Sequence, residues 1–253
     1  MNGRENKYFI SMHIHKVTFL PEHYPSTNIY PFCLEIFRTT PCLEFDTPIT
    51  FFIGENGSGK STLLRAITRK CEIHIWSNMD KRRFDTNPYE NELYRFIDVA
   101  WTKGKVPGAF FSSELYNYFA QSLDDWAKND PGLLGYFGGK SLLSQSHGQS
   151  VMSFFESRYS LEGLYFLDEP ETALSPRRQL ELLGLLGENG RKGHAQFIIA
   201  THSPILLSCP GAKIFCFDAP PIQTIDYENT DYFTVYRDFL SNRGKYLRDL
   251  EGY

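Results

Sequence analysis

The chain has 253 residues, 42% of them hydrophobic, with 26 basic against 30 acidic side chains and a formal net charge of −4. That suits one globular domain, or one domain with an inserted subdomain, and supplies no global electrostatic pull toward nucleic acid. Five cysteines, odd in number and without a C-x-x-C pair, argue against a disulfide framework; no run of 18 apolar residues occurs and the first residues lack a leader's apolar core, so a cytoplasmic, reducing setting is expected.

Residues 13–20, 32–37 and 48–53 are β-rich runs separated by Pro, Ser and Asn turns, which predicts antiparallel strands at the start of the chain. His13 and His15 would share a strand face but have no third metal ligand nearby, so a surface strand is expected. The last run leads into residues 54–61, GENGSGKS, the full pattern G-x-x-x-x-G-K-[ST]. In such a loop the glycines allow a tight winding that turns backbone N–H groups onto phosphates, Lys60 supplies a point charge to the β- and γ-phosphates, and the Ser61 hydroxyl can ligate Mg²⁺. The candidate nucleotide-binding set is therefore Gly54, Asn56, Gly57, Ser58, Gly59, Lys60, Ser61 and Thr62, opening a helix whose dipole adds to the anion attraction. ATP is expected rather than GTP, because no N-K-x-D follows the loop.

Residues 77–145 are polar and aromatic with weaker patterning, the expected insert within a single domain covering 1–253. Its Lys81-Arg82-Arg83 cluster is read as a solvated loop. Leu115, Phe119, Leu123 and Trp126 recur at helical spacing as the core stripe of an amphipathic helix. Residues 144–150, SQSHGQS, then place small polar groups and a glycine before a helical run, either a second anion-binding helix start or a simple capped helix.

The apolar run 164–167 reads as a strand buried on both faces, and it ends in Asp168 and Glu169. Beside a phosphate loop, Asp168 would hold the metal and Glu169 would polarise the attacking water. Ser175 and Pro176 are the expected cap and first position of a helix that turns Leu180, Leu183 and Leu186 inward and ends near Gly187 or Gly190. Strands are expected at 196–200 and 213–217; His202, just beyond the first of these, could position the γ-phosphate. The alternation predicts an α/β fold with ligands at the carboxyl ends of the strands.

The order of these motifs resembles the ATP-binding-cassette (ABC-type) ATPases. Residues 54–62 resemble their Walker A motif, Ser146, His147, Gly148 and Gln149 their signature motif, 164–169 their Walker B, 173–176 their D-loop, and His202 their switch histidine. Within that class the chain looks most like small stand-alone bacterial ATPases related to the heads of SMC and recombination-repair proteins. The resemblance implies a P-loop fold with a mixed, mostly parallel sheet flanked by helices, N-terminal antiparallel strands and a helical insert. It also implies Mg-dependent ATP hydrolysis by a homodimer in which Ser146, Gly148 and Gln149 reach the partner's nucleotide. His147 stands where LSGGQ has glycine, Ser175-Pro176 stands where transporter subunits usually have Leu-Asp, and no glutamine clearly marks the Q-loop, Gln121 being a candidate without supporting context. The alternatives are a transporter's ATP-binding subunit and a nucleotide-switched module acting on nucleic acid or a partner protein such as a defence component.

Overall fold

In a computed structural model, residues 12–76, 87–137 and 139–247 are described; the Lys81-Arg82-Arg83 cluster and the first eleven residues lie outside them. In chain order the elements are β1 (Ile14–Phe19), α1 (Glu35–Thr39), β2 (Cys42–Glu44), β3 (Ile49–Ile53), α2 (Lys60–Lys70), β4 (Ile97–Trp101), β5 (Gly108–Ser112), α3 (Ser113–Ala127) and α4 (His147–Tyr159). They continue with β6 (Gly163–Asp168), α5 (Pro176–Lys192), β7 (Ala195–Ala200), α6 (Pro204–Leu207), β8 (Lys213–Cys216), β9 (Gln223–Thr224), α7 (Asp231–Ser241) and α8 (Arg243–Leu247).

The main sheet has the order β5-β6-β7-β3-β8-β9, parallel from β5 to β8 with β9 antiparallel at its edge. Every residue of β3, β6 and β7 is buried. Because successive side chains of a strand point to opposite faces, these apolar runs feed two cores. Ile49, Phe51, Ile53, Tyr165, Leu167, Phe197 and Ile199 pack toward α3, α4, α5 and α6. Phe52, Leu164, Phe166, Ile198 and Ala200 pack on the other face with α2, α1 and a second, antiparallel sheet of order β2-β1-β4.

The structure corrects several sequence expectations. The run 32–37 is a turn leading into α1: Phe32, Ile36 and Phe37 are all buried, at helical spacing, where strand alternation would have sent Phe37 to the face opposite Phe32. The run 48–53 is no antiparallel neighbour of β1; β3 is an inner strand pairing in parallel with β7 and β8, as its burial on both faces requires. On α3 the buried stripe is Tyr116, Phe119, Ala120, Leu123 and Ala127, while Trp126 is 48% exposed and lies against Trp76. On α5, Leu182 and Leu186 are fully buried and Leu180 is 58% exposed. That helix runs past Gly187 and Gly190 to Lys192, where Gly193 adopts φ 74° as its cap. Within the stretch expected as an insert, β4 joins the antiparallel sheet and β5 the main sheet, leaving α3 and the short 3₁₀ turns up to residue 144 as its helical part.

Candidate functional site

The parallel register decides where the site forms. Asp168 at the end of β6 is level with Ala200 at the end of β7, which is level with Phe52 near the end of β3. The segments that leave these neighbouring strands, 54–61, 168–169 and 201–203, therefore emerge side by side at one edge of the sheet.

The phosphate loop winds through glycines at positive φ: 143° at Gly54, 83° at Gly57 and 101° at Gly59. Gly59 caps α2, and a Cβ there would also lie 2.8 Å from Phe37 and 3.0 Å from Leu34, so both backbone and packing demand glycine. Lys60 is only 4% exposed; its Nζ donates to the Gly54 carbonyl at 2.6 Å and the Glu55 carbonyl at 2.9 Å. Burial lowers its pKa, opposed by the nearby charges of Glu169, Asp218 and Asp168. The loop is braced from beyond β8, where Asp218, two residues past its end, accepts the Glu55 N–H at 2.6 Å.

Ser61 and Asp168, separated by 107 positions, meet directly: Ser61 Oγ donates to Asp168 Oδ1 at 2.6 Å. The other carboxylate oxygen accepts from Arg65 Nη2 at 3.2 Å, and Arg65 also lies 4.0 Å from Glu114. Burial raises the Asp168 pKa, and Arg65 and Ser61 pull it back. A buried carboxylate beside a hydroxyl is a hard-oxygen donor set of the kind Mg²⁺ takes, completed by phosphate and water oxygens. No group of three His, Cys, Asp or Glu side chains placed for a metal occurs among the described residues, so an ion here would need such outside ligands.

Glu169 stands in the left-handed region at φ 50°, ψ 54°. Its carbonyl accepts the hydroxyls of Ser113 at 2.7 Å and Thr172 at 2.9 Å, while its N–H donates to the Ala200 carbonyl. A non-glycine residue held in this conformation costs on the order of 1–3 kcal/mol and is kept only where the surroundings fix it. Here the effect is to leave the carboxylate 40% exposed and 3.7 Å from His202 Nε2.

His202 is gripped by residues that motif reading missed. Its backbone N–H donates to Glu171 Oε1 at 2.5 Å, and its Nδ1 lies 2.8 Å from the Tyr232 hydroxyl. Burial lowers the His202 pKa, with Lys60 acting in the same direction and Glu169 against it. Burial likewise raises the Glu171 carboxyl. Tyr30 shares a hydrogen bond with Thr62 and so reaches the loop as well. Arg65 carried a sequence signal, standing one helical turn after Ser61; Tyr30, Glu171 and Tyr232 carried none.

Ser61, Arg65, Glu114, Asp168 and Glu169 line an open cleft of about 540 Å³, and His147 from the start of α4 lines it too. Ser146 caps α4 through its backbone only, its side chain making no cap hydrogen bond, and Ser146, His147 and Gln149 are exposed. Gln121 is exposed on α3. Asn56 and Gly57 are exposed at the tip of the loop, and Ser58 Oγ is buried without a hydrogen-bond partner.

Two family profiles match the chain: "AAA domain, putative AbiEii toxin, Type IV TA system" over residues 141–208, and "AAA domain" over residues 32–71. The chain is 26% identical over 175 residues to a "Probable siderophore transport system ATP-binding protein" of Bacillus subtilis, covering 64% of this chain and 63% of that protein. It is 29% identical over 167 residues to the ferric enterobactin transport ATP-binding protein of Escherichia coli, covering 59% of this chain and 60% of that one. It thus spans less than two thirds of these curated relatives. Among solved structures, "a putative metal-chelate type ABC transporter" in an inward-facing conformation superposes with a TM-score of 0.51 at 16% identity, over 89% of this chain and 88% of that one, a likeness of fold. Residues 54–61, the Asp168–Glu169 pair and His202 stand at the same sheet edge, and the comparisons by sequence and by fold point the same way: the chain is similar to ABC-type ATP-binding proteins in sequence and shares the fold of an ABC transporter structure.

Proposed function

We propose that the chain binds Mg·ATP and hydrolyses its terminal phosphoanhydride as an ABC-type head that closes as a homodimer around two nucleotides. The observation that carries this reading is the direct Ser61–Asp168 contact, which joins the phosphate loop to the carboxylate strand with Glu169 and His202 alongside. Lys60, now held by the carbonyls of Gly54 and Glu55, exchanges them for the β- and γ-phosphates, and the inward N–H groups from Gly54 to Thr62 cradle the rest. Ser61 and Asp168 are the residues that would hold Mg²⁺, which when bound neutralises developing charge on the phosphate oxygens. Glu169 accepts a proton from the attacking water, and His202, with Nε2 beside Glu169, positions that water against the γ-phosphate. Ser146, Gly148 and Gln149 at the start of α4, the first and last of them exposed, serve the nucleotide of a second copy.

Phosphate release from ATP by the purified chain, with Mg²⁺ and with EDTA, tests the reading; failure to bind ATP in the presence of Mg²⁺ would overturn it. The names of the curated relatives favour a second reading, an ATP-binding subunit of a transporter. No helix among the described residues is long and apolar enough to cross a membrane, so that reading needs a separate membrane partner that raises turnover. Action on nucleic acid or on a protein partner predicts instead that turnover responds to that partner. The free cysteines of the described residues suit a reducing cytoplasm.

A further inference from the structure

Tyr232 lies 30 positions beyond His202, on the first turn of α7, yet its hydroxyl touches two parts of the site at once. It donates to the Gly54 carbonyl at 3.1 Å and sits 2.8 Å from His202 Nδ1. A phenol has one proton. With that proton on the Gly54 carbonyl, the contact to Nδ1 is a hydrogen bond only if the imidazole nitrogen is itself the donor. Burial pushes the Tyr232 hydroxyl up to about 12, so it stays protonated at neutral pH. Nε2, buried and without a hydrogen-bond partner 3.7 Å from the Glu169 carboxylate, is then the unprotonated nitrogen, which can only accept a hydrogen bond, as from the attacking water.

We propose that Tyr232 is a positioning residue that fixes His202 as its Nδ1–H tautomer and ties the imidazole to the phosphate loop. The support around it is at least partly buried and hydrogen-bonded. Thr230, 1% exposed, caps α7 by accepting the Phe233 N–H, and the Tyr227 hydroxyl just before the helix donates to the Pro204 carbonyl, two residues after His202. The Gly54 carbonyl accepts from Lys60 as well as from Tyr232. When phosphates draw Lys60 away, the carbonyl keeps Tyr232 as its donor, and one hydroxyl links the filling of the loop to the histidine that positions the attacking water. The kinetic consequence rests on the ATPase reading above; the tautomer does not.

Two measurements on the full chain test this. In protein labelled with ¹⁵N-histidine, at mildly alkaline pH, the His202 ring signals, assigned by their loss in His202→Gln, should show protonated Nδ1 in the wild type. In Tyr232→Phe that preference should be lost. A protonated Nε2 in the wild type, or an unchanged pattern in the variant, overturns the proposal. In ATPase assays, Tyr232→Phe should lower kcat roughly 10-fold or more with KM within about twofold, as for loss of an orienting partner. Added to His202→Ala it should cost nothing further, whereas independent, multiplying losses count against it. Wild-type protein that shows the expected tautomer but hydrolyses no ATP would sink the ATPase reading and leave the positioning of His202 standing.

Discussion

Gln196 and Ile14, 182 positions apart, exchange two hydrogen bonds: the Ile14 N–H donates to Gln196 Oε1 and Gln196 Nε2 donates to the Ile14 carbonyl, each at 2.9 Å. The same oxygen accepts the His13 N–H. A glutamine only 1% exposed in an inner strand of the main sheet thus satisfies the backbone of β1, the first strand of the antiparallel sheet. Replacing Gln196 with Leu keeps the bulk but strands these buried groups, each unsatisfied group costing about 1–3 kcal/mol. Denaturant unfolding should show a loss of about 3 kcal/mol; a loss below about 1 kcal/mol would mean that other contacts hold β1 in place.

Lys60→Ala removes the main cation of the phosphate loop while leaving the two cores untouched. ATP binding, followed by calorimetry, should disappear with the unfolding transition in place. Unaltered nucleotide affinity would refute the site.

Glu169→Gln retains the shape of the side chain and the contacts of its backbone carbonyl with Ser113 and Thr172, but cannot take a proton from water. ATP should still bind, while hydrolysis falls roughly 10²- to 10⁴-fold, as is typical of losing a general base. If two copies close around ATP, this variant should accumulate as the ATP-bound dimer in light scattering. Wild-type turnover in the variant would exclude Glu169 as the catalytic carboxylate.

Ser146→Arg places bulk and positive charge at the exposed start of α4, away from the chain's own phosphate loop in sequence. Each monomer should still bind ATP but fail to turn it over. Mixing this variant with Lys60→Ala should restore partial activity, because one composite site of their heterodimer is built from intact halves. Normal hydrolysis by Ser146→Arg alone would reduce residues 144–150 to the capped start of a structural helix.

Local chemistry made much of this protein legible in its sequence. The glycines and lysine of residues 54–61, the apolar run ending in Asp168 and Glu169, and the Ser175-Pro176 helix start each depend on neighbours within a few positions, so spacing alone announced them. The resemblance to ABC-type ATPases followed from the order of those segments. Burial and long-range pairing decided the rest. The β-forming residues at 32–37 became part of a helical corner because Phe32, Ile36 and Phe37 could bury together there, and the stripe of α3 kept Phe119 and Leu123 but carried Tyr116, Ala120 and Ala127 inward in place of Leu115 and Trp126. Tyr232 reaches Gly54 across 178 positions, Glu171 holds the backbone of His202 across 31, and Gln196 reaches Ile14 across 182. Such contacts have no spacing to read, because a side chain's partner at that distance is set by which strands become neighbours in the sheet and by where their ends come level.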